Sequence, residues 1–269
     1  MLNLCPLAGA VLRTIGRPRP MVAETVKKYL TSKIFSFHSK IISGTFFINA
    51  NPKRMSKAQV ATFTLHEGQP GHHLQFAVKE GLPDFARFTL AGSSPSGFPG
   101  YSGFAEGWGL YSENLGYELG IYENEPLKGK IFSLALSKLF PLLKKIISLT
   151  ELGYIMGDLL RSARLVVDTG LHAYGWSREN AVQYLMKNAA FSRDASEAEV
   201  DRYISLPGQA VSYKVGERKI WELRKKFVED GAESLKDFHG YLLQCEGPLA
   251  NVETCLDSKF KIISVRHHK

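Results

Sequence analysis

The chain has 269 residues, 44% of them hydrophobic and 22% charged, a composition that excludes a disordered or fibrous protein and suffices for one large domain or two small ones. Its net charge of +8 comes from Lys and Arg spread along most of the chain, without the basic tract that marks a nucleic-acid partner, so none is expected. Three cysteines, Cys5, Cys245 and Cys255, are too few for a disulfide framework and lack the C-x-x-C spacing of a thiolate metal site; they read as free thiols in a reducing compartment.

Residues 1–20 read as a poorly structured leader. Their apolar stretch comes before the arginines, the reverse of a secretory signal, so no signal peptide is expected and the cytoplasm is favoured. Residues 21–269 read as one helical region. Val22 to Phe37 alternates basic and apolar residues in a helix-like way, and Thr45 to Ile48, β-branched and aromatic between Gly44 and Pro52, suggests one short strand. Ser56 with Gln59 forms a capping box that starts a helix, closed by Gly81-Leu82-Pro83. A Gly/Ser/Pro-rich loop over 91–103 leads into a second helix from about Phe104 to Gly120. Further helices are expected over 127–171, 177–190, 196–204, 209–231 and 234–244. The longest apolar region, Ile131 to Leu149, contains Pro141, Lys138, Lys144 and Lys145, and charge buried in a bilayer is costly; it reads as two buried or amphipathic helices, and no transmembrane segment is expected. The fold expected is mainly α, with at most a few short strands.

Chemistry concentrates at His66-Glu67-Gly68-Gln69-Pro70-Gly71-His72-His73. A His and a Glu side by side, followed within about two turns by another His, combine neutral nitrogen ligands with a carboxylate base. The usual H-E-x-x-H spacing puts both histidines on one helix face. Here Pro70 occupies the second ligand's place. In a straight helix His73 would return to within roughly 20° of His66 but about 10 Å along the axis, and His72 would point away. Pro70 and Gly71 supply what a kinked turn needs to bring a later His back. Glu106, near the start of the second helix, would complete a three-ligand site and leave a fourth position for water. Glu113, two turns further on nearly the same face, is a candidate to orient a ligand His.

The segments TLHEGQPGHHLQ, GFAEGWGLYSE, RLVVDTGLH and RYISLPGQAVSYK, in that order, resemble the family called domain of unknown function 885, over about Gly44 to Leu249. That resemblance implies a fold like the zincin metallopeptidases. It also implies that the chain corresponds to the C-terminal part of a longer family domain, a half-domain with a possible insertion at 128–151. A more distant likeness to the helical peptidases typified by angiotensin-converting enzyme, with H-E-x-G-H and a Glu on the next helix, implies His72 as the second ligand, with His73 in reserve, and Glu106 as the third. The implied cofactor is one zinc ion and the implied activity hydrolysis of short peptides, with Glu67 as the general base. An oxyanion needs a donor, for which Tyr203 and Tyr213 are the candidates, and His172 is a candidate for substrate binding. Arg161 and Arg164 are expected to pair internally with Asp158 or Asp168. Two other readings remain open: a metal-dependent amidase or esterase, and a truncated non-catalytic binding protein. The metal face of so short a chain is expected to be open and apolar, which invites self-association.

Overall fold

The structure, a computed structural model, describes residues 57–80, 101–122, 148–231 and 233–267. The leader, the helix expected at Val22 to Phe37, the strand expected at Thr45 to Ile48 and nearly all of the candidate insertion lie outside these residues. Those described form helices and the turns between them, and no β-strand occurs among them. The fold is mainly α, as expected.

A 3-10 turn at Lys57–Gln59 leads into α1 (Val60–Glu67), which stops at Gly68 and is followed after a short break by α2 (His72–Glu80). The Gln69–Pro70 peptide in that break is cis. Next come α3 (Ser102–Glu118), α4 (Leu149–Ala173), α5 (Arg178–Asn188) and α6 (Arg193–Ser205). The last group is α7 (Gln209–Arg224), continued by a π turn at Lys225–Glu229, then α8 (Leu235–Leu242) and α9 (Leu249–His267).

Four of these starts are set by serine. The hydroxyls of Ser148, Ser177, Ser192 and Ser234 accept the backbone N–H three residues on, in Glu151, Asn180, Ala195 and Asp237, at 3.0 to 3.3 Å. Each satisfies a donor that the first helical turn would leave unpaired, and the acidic residues in these first turns suit the positive end of the helix dipole.

Helices α3 and α7 form the centre, and three glycines let them touch backbone to backbone. A Cβ at Gly216 would collide with the carbonyl of Gly103, and one at Gly107 with the backbone of Gly216. Around this seam Trp108, Tyr111 and Leu115 of α3 and Ile220 and Leu223 of α7 pack with Phe238 and Leu242 of α8 and Val252 and Leu256 of α9. A second apolar cluster joins α4, α5 and α6 through Val167, Val182, Leu185, Val200 and Tyr203.

Two findings correct the sequence expectations. Helix α9 was not expected, although Val252, Leu256 and Phe260 recur every fourth residue and all three are buried in the first cluster. Cys245 and Cys255, expected as free thiols, form a disulfide with 5.9 Å between their Cα atoms. The chain turns at the end of α8 and α9 runs back beside it, so cysteines ten residues apart meet. No helix among the described residues is long and apolar enough to cross a membrane. Exposed apolar side chains include Phe76 of α2, Ile155, Leu159 and Val166 along one face of α4, Ile204 of α6 and Val215 of α7.

Candidate metal centre

Three side chains converge where α1, α2 and α3 meet. His66 Nε2 and His72 Nε2 each stand 3.3 Å from the same oxygen, Oε2 of Glu106. The ligand atoms of His66, His72 and Glu106 all lie within 4.8 Å of one another, and the group could hold a metal ion. His73, one residue beyond His72, is not in this group.

The break between α1 and α2 produces the convergence. Gly71 lies against the His66 carbonyl, with no room there for a Cβ, so α2 starts beside the end of α1 instead of continuing its axis. Trp108, two residues after Glu106 on α3, donates its indole N–H to the carbonyl of Pro70 at 2.8 Å. This bond fixes the break to the helix that carries Glu106.

The His66 ring is held from its far side. Its Nδ1 lies 2.7 Å from Glu113 Oε1, and a carboxylate only accepts, so Nδ1 carries a proton and Nε2 is the ring atom left to bind a metal ion. Glu113 is fully buried and accepts a second hydrogen bond from Arg161 at 3.0 Å. Gly109 lies under the ring: a Cβ there would sit 2.5 Å from His66 Cε1.

The distances distinguish two kinds of contact. A charge-assisted hydrogen bond spans about 2.7–2.9 Å, the length of the contact of His66 with Glu113, and the contacts of the two histidines with Glu106 are longer. Ligand atoms at about 2.0–2.2 Å around a tetrahedral ion lie roughly 3.3–3.6 Å apart, and both contacts with Glu106 have that length. Two imidazoles and one carboxylate so placed could hold a metal ion.

The two carboxylates favour positive charge at this point, a proton or a cation. Burial by itself pushes the His66 imidazole down, but hydrogen bonds to Glu106 and Glu113 outweigh it and raise the group to about 9. Burial pushes Glu106 up, and the two histidines reverse this and hold its carboxyl well below the usual carboxylate range.

Glu67 neighbours His66 on the last turn of α1 and is half-buried. The other oxygen of Glu106, Oε1, accepts from Gln209 Nε2 at 3.2 Å. Gln209 also donates to the Tyr213 hydroxyl at 3.3 Å, and the Tyr213 ring stacks beside His66 with centroids 6.2 Å apart.

The remaining candidates lie apart from the three ligands. The Tyr203 hydroxyl donates to Glu199 at 2.7 Å and accepts from Arg164 at 3.1 Å, in the second apolar cluster. His172 Nε2 lies 3.0 Å from the Tyr203 carbonyl, where it can donate and tie α4 to α6. Arg161 and Arg164 pair internally, but with Glu113 and Glu199 and not with the aspartates expected. Asp158 pairs with Lys214, and Asp168 accepts the Gly208 N–H ahead of α7. Gln209, Trp108 and Gly109 were not singled out from the sequence. Only the i, i+4 spacing of Gln209 to Tyr213 on α7 gave a signal.

The matching family model covers residues 31–250. The chain belongs to the family described as bacterial protein of unknown function, DUF885. Among solved structures it is similar to a "putative lipoprotein" from Colwellia psychrerythraea, at 26% identity and a TM-score of 0.69 over 95% of this chain and 43% of that one. A second, titled a "putative lipoprotein" of unknown function from Shewanella oneidensis, matches in fold at 19% identity and a TM-score of 0.60, over 95% of this chain and 46% of that one. The chain thus spans less than half the length of either. No curated protein matches it.

Proposed function

We propose that the chain carries the metal centre of a zinc-dependent peptidase acting on short peptides, with a zincin-like arrangement adapted to the HExxPGHH spacing. The observation that carries this reading is the approach of two imidazole nitrogens to one carboxylate oxygen at 3.3 Å each, while a buried Glu113 orients the first imidazole. His66, His72 and Glu106 would hold the ion. Zinc bound there lowers the pKa of water toward neutrality and polarises a carbonyl.

The protein's own groups supply the rest. Glu67 would be the general base: it follows His66 at the end of α1, makes no hydrogen bond or ion pair with another described residue, and could take a proton from water and pass it to the leaving amine nitrogen. Tyr213 is the better oxyanion donor of the two tyrosines. Its hydroxyl oxygen accepts from Gln209 and Arg202, which leaves its own O–H free to donate, whereas the Tyr203 proton already goes to Glu199.

Glu67→Gln keeps every proposed ligand and removes the base. Zinc content should stay at that of the parent protein while peptide turnover falls by about 100-fold or more. Full turnover in this variant would remove Glu67 from the mechanism, and a parent protein that binds no zinc would remove the metal reading. Assays on short peptides alongside simple amides and esters separate a peptidase from a broader hydrolase. The apolar face of α4 supports self-association, which sedimentation over a concentration series would detect. The Cys245–Cys255 disulfide favours an oxidising compartment over the cytoplasm.

A further inference from the structure

Arg202, on α6, has a place at this site that the peptidase mechanism does not use. Its guanidinium Nη2 contacts two neutral groups at the long distances of 3.3 and 3.4 Å, Gln209 Oε1 and the Tyr213 hydroxyl. Arg161, Arg164 and Arg224 each lie against a carboxylate; Arg202 makes no ion pair with a described residue. Glu199, one turn back on α6, feels its charge, but Oε2 of Glu199 is taken by Arg164 and Tyr203. Arg202 is half-buried, so its remaining N–H donors can meet a ligand entering from solvent.

The position gives this cation a register against the metal centre. The Gln209 side-chain amide bridges the two, donating to Glu106 and accepting from Arg202. One amide, with hydrogen bonds of 3.3 and 3.2 Å on its two sides, therefore separates the guanidinium from a metal-ligand carboxylate, a gap on the order of two residue lengths at ~3.8 Å each. A guanidinium fork recognises a carboxylate by paired hydrogen bonds, and a peptide cut near its C-terminus presents such a group one or two residues beyond the scissile carbonyl.

We infer that Arg202 anchors the free C-terminal carboxylate of the substrate, which makes the proposed peptidase one that cuts within one or two residues of a peptide's C-terminus. The inference rests on the peptidase reading and adds the substrate class. Its rival is that Arg202 serves only to orient Tyr213.

The test compares a blocked tripeptide bearing a free C-terminal carboxylate with the same peptide as its C-terminal amide. Calorimetric binding to the zinc-loaded protein should favour the carboxylate about 10- to 100-fold, as expected for one charged hydrogen-bonded contact. Arg202→Gln should abolish the preference and Arg202→Lys should keep part of it. In hydrolysis, the preference should appear in KM. Equal binding of the two peptides by the parent protein overturns the inference, and that comparison does not depend on any variant folding. A preference that survives in folded Arg202→Gln, with kcat reduced equally on both peptides, also overturns it and assigns Arg202 to Tyr213. If the preference is found and depends on Arg202 while no peptide is cleaved, the anchor stands and the peptidase reading fails.

Discussion

The position of His66 depends on a residue with no side chain. Gly109 lies in the middle of α3, where alanine would favour the helix by about 1 kcal/mol. A methyl there, however, would meet the His66 ring at 2.5 Å from Cε1 and 2.7 Å from Nε2. The ring cannot tilt away freely, because Glu113 holds Nδ1 at 2.7 Å. Gly109→Ala should therefore leave the protein folded, with helix content unchanged, and weaken zinc by about tenfold or more, in the range seen when the support of a ligand histidine is lost. Competition against a chelator measures the affinity, and unchanged zinc binding would show that the ring has another place to go. The residues legible in the sequence were those whose chemistry is their signature: His66, His72, Glu106 and Glu113. Gly109 and Trp108 act through shape and through a backbone acceptor, and residue type does not report either. Tyr203 and Tyr213 could not be ranked from sequence, since the difference between them is which partner receives the hydroxyl proton.

Among the helices, the approach of α3 to α7 sets the site, since it brings Glu106 and Gln209 together. At Gly216 the atom that a Cβ would strike is the Gly103 carbonyl, part of a helix backbone that cannot rotate aside. Gly216→Ala should thus cost about 3 kcal/mol, the upper part of the usual range for overpacking, despite the gain in helix propensity. Denaturant unfolding checks this, and a stabilised variant would contradict backbone contact at the seam. Two of the four serine-capped starts were legible: the helices expected from Ser177 and Ser234 begin one residue later, with the serine as cap, whereas that expected over 196–204 begins at Arg193 after Ser192. Helix α9 was missed even though its apolar residues carry the period. The disulfide was missed because pairing depends on how the end of α8 returns into α9, which cysteine counting does not contain.

At the scale of the whole molecule, both apolar clusters contain tyrosines that must stay neutral. Tyr111, Tyr122 and Tyr154 belong to the first and Tyr203 to the second. Burial raises all four hydroxyls above the ordinary value of 10.0, more strongly than neighbouring arginines lower Tyr111 and Tyr203. An unfolded chain loses these protons at about pH 10, whereas the native protein keeps them to higher pH. Below that pH both states are protonated and the contribution to stability is fully present. Above it the unfolded state binds fewer protons, so stability falls as pH rises. Because the four are spread over both clusters, their ionisation should follow global unfolding and not the opening of one corner. In the metal-free protein Tm should fall between about pH 6.5 and 9 as the raised His66 loses its proton, and fall again above about pH 10 from the tyrosines. The ultraviolet absorbance of tyrosinate from these four should rise together with the loss of helical circular dichroism. If they ionise reversibly near pH 10 while helicity persists, the tyrosines are open to solvent and the two clusters are looser than the packing described.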